Sequence, residues 1–553
     1  MCGIFAILNH SANENESEIE KLFMRGKHRG PEHSDIKYES STKYILGFHR
    51  LAINGLNQES NQPIEYNNIV LICNGEIYNY KDLYMKHEIT PKTDSDCEII
   101  IHMYLLYGIE YTLNLLDGVF AFVLFDKRNI NQQKCFIGRD PFGVRPLYYS
   151  NHFPIYQFAS ELKQLGPLFV SSKINHFPPG SYLQFNFMDT IWIPDIIKKY
   201  HTFSFLTITE PDYNIYLKNI VHYLNNAVKK RTLTTDRPVA CLLSGGLDSS
   251  LIAALVRTHY KGKLETYSIG LPGSEDLKYA QLVADHIGSE HTSIEIPEDE
   301  FFESIPDVIY DLESYDTTSV RASVGNWLLG KYISEYSEAK VIFNGDGADE
   351  LMGGYLYLQC APNSIEFDRE CKRLLKEIHA FDVLRSDKSI SSHGLEPRTP
   401  FLDRGWVQYY LSIPSHVRFH IHHKAPELNN CEKYLVREAF SKYMHNILPD
   451  VVMWRKKEAF SDGVSSKNRS WYEIIQEKVN RINETTNMIN DSLSEINYNI
   501  PKTPEQHYYR YLFENSFPKQ GHIVPHFWMP KYIDATDASA RTLSIYDKDE
   551  LDV

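Results

Sequence analysis

The sequence predicts two domains of different class: an α+β domain with mostly antiparallel sheets, then an α/β domain on a doubly wound parallel sheet with a helical C-terminal part. Three observations carry this. The 553 residues exceed what one hydrophobic core usually supports. The first third is a series of short apolar runs broken by turn signals. Beyond residue 212 the order becomes strand, glycine loop, helix, and it recurs.

In chain order, GIFAIL (3–8), YILGFHRLAI (44–53), NIVLICNGEIYNY (68–80), GVFAFVLFD (118–126), KCFIGRD (134–140) and PLYYS (146–150) read as hairpin-spaced strands. DCEIIIHMYLLYG (96–108) presents apolar residues on a broad helical face. The stretch 190–212 is aromatic, proline-punctuated and aperiodic, and reads as a connector. PVACLLSGGLDSSLIAALV (238–256) is strand, glycine loop and helix, and LETYSIGLPGSEDLKYAQLVADHIG (264–288) repeats that order. KVIFNGDGADELMGGY (340–355) is a further strand running into an acidic glycine-rich loop. Such sheets bind ligands at the carboxyl ends of their strands, where all three loops fall. The expected division is 2–189, a connector at 190–212, 213–533, and an ill-ordered polar tail at 534–553.

Composition excludes several classes. Apolar residues are 42% and charged residues 23%, too much core material for a disordered chain. Fifty-seven basic against 72 acidic residues leave a net charge of −15, which argues against a nucleic-acid binder. The eight cysteines show no zinc spacing and fit reduced thiols in a cytoplasmic protein. The start lacks a secretory pattern, and no apolar run is long enough for a membrane span.

Two regions carry chemistry. Cys2 follows the initiator Met, whose removal would give one residue both a thiol and an α-amine of pKa roughly 8, a nucleophile with its own base. Ser244-Gly245-Gly246-Leu247-Asp248-Ser249-Ser250 between strand and helix is a phosphate cradle of backbone N–H groups, hydroxyls and a helix N-terminus. It lacks the Walker Lys-Ser/Thr ending, so a kinase or GTPase is excluded. Asp248, and Asp349 in the NGDGADE loop, are candidate Mg²⁺ ligands beside phosphate. Asn74-Gly75 equally marks a hairpin turn, and Arg50 or Lys457 alone would be surface charges.

CGIFAI, HRGPE (28–32), HRLAI (49–53), NGEIYN (74–79) and SDCE (95–98), in this order, resemble the class II, N-terminal-nucleophile glutamine amidotransferases. With SGGLDSS, YDTTSVRAS (315–323), GLEPRTPFLD (394–403) and WRKKEAFSDGV (454–464), nearly the whole chain resembles the glutamine-hydrolysing asparagine synthetase B family. The resemblance implies a four-layer αββα first domain and an ATP-pyrophosphatase second domain. It implies Cys2 as nucleophile, with Asn74 and the Gly75 N–H meeting the oxyanion. Arg50, Leu51, Ala52, Ile53, Asn54, Glu76 and Asp96 would surround glutamine. Leu242, Ser244, Gly245, Gly246, Asp248, Ser249, Ile269, Asn344 and Gly345 would hold ATP. Thr318, Arg321 and Arg398 would lie around aspartate and its adenylate, and Lys457 would neutralise phosphate charge.

Asp346 stands where the family often has Glu, which leaves its role in proton transfer open. His28 and Arg29 are open between site and loop brace. The expected partners are small-molecule substrates, with no nucleic acid and no membrane; a homodimer is a family expectation only. A β-lactam synthetase-like enzyme and a non-catalytic regulatory descendant are the competing readings.

Overall fold

In a computed structural model of the protein, residues 1–10, 16–165, 173–203, 206–419, 431–466, 468–486 and 496–546 are described. The chain divides into two compact units: Met1–Phe203 with Thr234–Arg237 and Ser391–Glu396, and the remainder.

The first unit contains β1 (Gly3–Leu8), β2 (His33–Glu39), β3 (Tyr44–Arg50), β4 (Ile64–Tyr66), β5 (Ile69–Ile77), β6 (Gly118–Asp126), β7 (Lys134–Arg139), β8 (Tyr148–His152), β9 (Ile155–Ala159), β10 (Ile174–His176), β11 (Ser181–Met188), β12 (Ile191–Pro194) and β13 (Lys198–Lys199). They form one sheet of order β10-β8-β9-β1-β3-β2 and a second of order β12-β11-β7-β6-β5-β4, with β13 pairing β11. The apolar run of β6 is continuous because both its faces are buried. Phe120, Phe122 and Leu124 pack with the helices Tyr80–Lys86, Ile99–Tyr107 and Ile109–Leu115. Ala121, Val123 and Phe125 alternate onto the opposite face and meet Ile4, Ala6 and Leu8 of β1 in a core between the sheets. On the outer side of the first sheet, Phe23 of the helix Glu16–Met24 fills the space that a side chain at Gly47 would need. Helix, sheet, sheet and helices make the four-layer αββα sandwich.

Residues read from the sequence as the start of a connector are strands here. Trp192 of β12 is fully buried, donates its indole N–H to the Thr42 carbonyl at 2.7 Å, and stands edge-on to Phe125 at 5.3 Å. Strands of four and two residues are too short to show an alternation in sequence. Connector residues 204 and 205 lie outside the described residues.

A third sheet has β14 (Val239–Leu242), β15 (Glu265–Gly270), β16 (Glu290–Glu295), β17 (Val341–Phe343) and β18 (Glu396–Arg398) in the order β16-β15-β14-β17-β18, and all its residues but Glu396 belong to the second unit. The pairings β14–β15, β15–β16 and β14–β17 are parallel. The chain winds outward from β14 to β16, then returns to β17 on the other side of β14. This reversal makes the β14/β17 crevice the topological switch point, where open α/β sheets bind ligands. The C-terminal tail is not ill-ordered over its described part. Leu543 is buried in a cluster with Tyr357 and Trp528, and Asp537 pairs with Arg321. Its polar composition hid partners far away in sequence; residues 547–553 lie outside the described residues. Among the described residues no helix is long and apolar enough to cross a membrane.

Trp192→Ala should destabilise the first unit by about 3–5 kcal/mol, the range for truncating a buried aromatic. A shift in urea midpoint equivalent to less than about 0.5 kcal/mol would fit a connector residue instead.

Candidate active sites

The first unit gathers its candidate residues where strand ends meet. Gly3 of β1 pairs with His49 of β3, so Cys2, just before β1, falls beside Arg50 at the end of β3. The Cys2 backbone is tethered: Arg29 Nε donates to its carbonyl at 3.0 Å, while Arg29 Nη1 holds Glu161 at 2.6 Å and Ser391 Oγ at 3.0 Å. Arg29 is therefore a brace, buried and fully engaged. His28 stands 3.9 Å from the same Glu161. Cys2 Sγ points to the Leu51 carbonyl at 3.7 Å. Burial pushes the thiol pKa up, opposed by the chain's ammonium terminus, the Leu51 contact and Arg50. The α-amine of Met1, one residue earlier, is pushed down to about 6 by burial.

Asn74 on β5 is fully buried, and neither its Nδ2 nor its Oδ1 has a hydrogen-bond partner. An orphaned buried polar group costs about 1–3 kcal/mol. The fold tolerates an amide of this kind where a ligand will complete it, as in an oxyanion hole. Gly75 is required by its neighbour strand: a Cβ there would lie 2.6 Å from the Val119 carbonyl and 2.7 Å from Phe120 Cβ on β6.

Around them sit one cation and two carboxylates. Arg50 donates to the Asn57 carbonyl at 2.9 Å, Asn61 Oδ1 at 2.6 Å, and the Asn54 and Gly55 carbonyls. All four are neutral acceptors, so they orient the guanidinium without cancelling its charge. Asn54 Nδ2 bridges Glu76 at 2.6 Å and Asp96 at 3.5 Å, and Asp96 accepts the Ile77 N–H at 2.7 Å. The buried Leu51-Ala52-Ile53 loop is pinned by Glu32, which accepts the Ala52 N–H at 2.7 Å and Arg237 Nη2 at 2.7 Å. Asp236 accepts the Gly55 N–H at 2.9 Å. Sequence reading assigned no role to Glu32, Asp236 or Arg237; Glu32 lay in the HRGPE motif, and the other two carried no local signal.

In the second unit the loops after β14 and β17 touch at the switch point. A Cβ on Gly345 would lie 2.8 Å from both Asp248 Cβ and the Ser249 nitrogen. Gly245 has φ +73 and backs against Tyr279 and Ala280, which shapes the loop from behind. Leu242, Ser244, Gly246, Asp248, Ser249, Ile269, Thr318, Asn344, Gly345, Asp346, Asp349 and Lys457 line one cavity. Asn344 is fixed by Ser386 Oγ at 2.7 Å and the Arg398 carbonyl at 3.1 Å.

Three expected residues do not line the cavity: Gly245, which lies behind the loop, and two arginines. The buried Arg398 guanidinium donates to the Arg231 carbonyl. Arg321 is spent on two carboxylates, Glu505 at 2.8 Å and Asp537 at 2.7 and 2.8 Å. On the helix Thr317–Tyr336, Thr318, Ala322 and Asn326 share the cavity face, and Arg321 is turned about 60° from Thr318.

Charge dominates the cavity mouth. Lys457 Nζ lies 2.8 Å from Asp349 and 3.6 Å from Asp248. Lys433, which the sequence did not single out, contacts both carboxylates from a buried position. Its backbone is left-handed, φ +57, and a Cβ on Gly354 would overlap its Cε and Asp349 Oδ1. Burial alone would raise the pKa of Asp349; Lys433 and Lys457 overcome that and hold it well below the usual carboxylate range. Asp248 Oδ1 is buried without a hydrogen-bond partner. Asp346 accepts from Arg385 at 2.9 Å through one oxygen, and its other oxygen is buried without a hydrogen bond. Asp382, also on Arg385, is pushed up to about 6, first by burial and then by Asp346 and Asp349.

The glutamine amidotransferase domain family matches residues 1–205, and the asparagine synthase family matches residues 219–366 and 359–493. The chain is similar to the glutamine-hydrolysing asparagine synthetase of Homo sapiens, with 41% identity over 579 residues and 99% of each chain covered. It is 40% identical over 583 residues to that of Rattus norvegicus, again with 99% of each covered. Among solved structures, the glutamine phosphoribosylpyrophosphate amidotransferase of B. subtilis aligns with TM-score 0.32 and 15% identity, covering 53% of this chain and 90% of that one.

Gly345→Ala should lower turnover at the second-unit cavity by roughly 10²-fold, the scale of a 1 Å misplacement. The rate of nucleotide consumption checks this; an unchanged rate would show that the β14 and β17 loops need not touch.

Proposed function

The chain belongs to the glutamine-hydrolysing asparagine synthetase family, and from that premise we propose how its residues divide the work. The protein is a ligase that makes asparagine with glutamine as nitrogen donor. The observation that carries the division is the convergence of Asp248, Asp349, Lys433 and Lys457 at the mouth of the Ser244–Ser250 loop. No part of that cluster is needed for amide hydrolysis; the two ammonium groups suit a triphosphate, and the two carboxylates suit the divalent cation that accompanies it.

In the first unit, removal of Met1 moves the α-amine onto Cys2. The amine takes the thiol proton, sulfur attacks the glutamine carboxamide carbon, and Asn74 Nδ2–H donates to the developing oxyanion. Collapse returns a proton to nitrogen and expels ammonia, leaving a glutamyl thioester that water opens to glutamate. Arg50 takes the α-carboxylate of glutamine, and Glu76 with Asp96 takes its α-ammonium.

In the second unit, Leu242 and Ile269 flank the adenine, and the Ser244–Ser249 loop receives the phosphates. The β-carboxylate oxygen of aspartate attacks the α-phosphorus, and the bond to the pyrophosphate oxygen breaks. Lys457 neutralises charge in this step. Ammonia then attacks the acyl carbon of the adenylate. Asp346, through the oxygen that Arg385 leaves open, takes the surplus proton as AMP departs. Thr318, with a buried hydroxyl that has no hydrogen bond, faces the substrate. Asp248 and Asp349 would hold a magnesium ion: two carboxylates already converge, and Asp248 Oδ1 is buried and unpaired. Bound there, the metal would carry charge on the leaving pyrophosphate. A cytoplasmic homodimer belongs to the same proposal and rests on the family alone.

Cys2→Ala should abolish glutamine-dependent synthesis and spare synthesis from ammonia. Asp248→Ala should abolish synthesis from either nitrogen source and spare glutamine hydrolysis. Assays of glutamate, AMP and asparagine check both; loss of every activity in either variant would contradict the division.

A further inference from the structure

Lys457 sits on the loop between the helices Asp450–Met453 and Phe460–Gly463, and its chain neighbour Glu458 also lines the cavity. One side of this loop is fastened to the segment after β15. Arg455 Nη2 pairs with Asp276 at 2.7 Å and its guanidinium lies 4.0 Å over the Tyr279 ring. The Leu271 N–H donates to the Val464 carbonyl at 2.7 Å, and Ser274 Oγ to the Gly463 carbonyl at 2.8 Å.

The other side is fastened by the last described residues of the chain. Arg541 Nε pairs with Glu458 at 2.7 Å, and the two side chains are 8% and 9% exposed. Arg541 Nη1 donates to the Ser466 carbonyl at 2.9 Å. The Tyr546 hydroxyl reaches Glu458 at 3.3 Å. Ser539 Oγ donates to Asp462 at 2.8 Å, and Asp537 is gripped by Arg321. Leu543 anchors the segment in an apolar cluster.

The electrostatics give this attachment a task. Asp248, Asp346, Asp349, Asp382, Glu432 and Glu458 all line a cavity meant for a triphosphate. Of these, Glu458 is adjacent to Lys457 in the chain. Left without its own cation it would compete with phosphate for the Lys457 ammonium and repel the nucleotide. We propose that Arg541 is a positioning residue for adenylation: by binding Glu458 it keeps that carboxylate off Lys457 and fixes the loop that presents Lys457 to the phosphates. The inference rests on the adenylation role assigned to Lys457 above. The C-terminal segment is thus a working part of the synthetase site, although no described residue of it lines the cavity.

The test uses full-length variants with ammonia as nitrogen donor, reading aspartate-dependent AMP formation over a range of ATP. Arg541→Met should raise KM for ATP and lower kcat, together by roughly 10–10²-fold in kcat/KM. Glutamine hydrolysis without ATP, a property of the other unit, should stay within about twofold and reports folding along with the melting temperature. Adding Glu458→Gln to Arg541→Met should recover most of the loss, because the carboxylate that needed a partner is gone. A merely structural prop predicts a double variant no better than the single one, and that result would overturn the proposal, as would an unchanged Arg541→Met. If Arg541→Met does not fold, the neutral Arg541→Gln with and without Glu458→Gln carries the same comparison. Lys457→Met separates the two ideas: if it retains AMP formation, the role of Lys457 itself fails. If it loses AMP formation while Arg541→Met does not, only the role of Arg541 fails.

Discussion

Two carboxylates facing two ammonium groups are the constraint around which the second unit is arranged. Asp248 and Asp349 arrive on the first turns of two helices, one after β14 and one after β17, and would repel each other without Lys433 and Lys457 between them. Several local oddities become consequences of this. Gly345 lets the two loops touch. Gly354 makes room for the Lys433 stem, and Lys433 itself occupies a left-handed conformation that costs a non-glycine residue strain. The loop carrying Lys457 is tied on one side to Asp276 and on the other to the chain's C-terminal segment. A protein of net charge −15 can therefore bind a triphosphate, because the relevant potential is set by a few fixed cations and backbone N–H groups.

The first unit solves the opposite problem. Under the proposed thiol attack its site would stabilise a charge that exists only briefly, which suits polar groups held open. Asn74 is buried with its amide unpaired, and Arg50 is oriented by carbonyls that leave its charge intact. Around them the supporting groups are fully paired: Arg29 on the Cys2 carbonyl, Glu32 and Arg237 on the loop after β3. The contrast between open and closed hydrogen bonding separates groups poised for substrate from groups that brace them.

Much of this was legible in the sequence, for reasons specific to particular segments. The Ser244–Ser250 loop could be read because strand, glycines and helix are consecutive. The buried-on-both-faces character of β6 shows as an unbroken apolar run. Cys2, Arg50, Asn74 and Asp96 are expected at one site because their motifs follow one order. What could not be read depends on contacts distant in the chain. Lys433 looks like a surface lysine until Asp248, 185 positions away, is brought beside it. The strand holding Trp192 is too short to show a period. Arg321 and Arg398 were expected at a ligand, but Glu505, Asp537 and the Arg231 carbonyl claim them. The polar tail read as ill-ordered because its partners, Glu458, Asp462 and Arg321, lie elsewhere in the sequence.

The proposed adenylation requires that the aspartate side-chain oxygen bond to the α-phosphorus and leave with AMP. Aspartate labelled with ¹⁸O in its β-carboxylate tests it most directly, with the products resolved by mass spectrometry. One labelled oxygen is expected in the phosphate of AMP and none in pyrophosphate. Unlabelled AMP, or label appearing in inorganic phosphate alongside ADP, would contradict it.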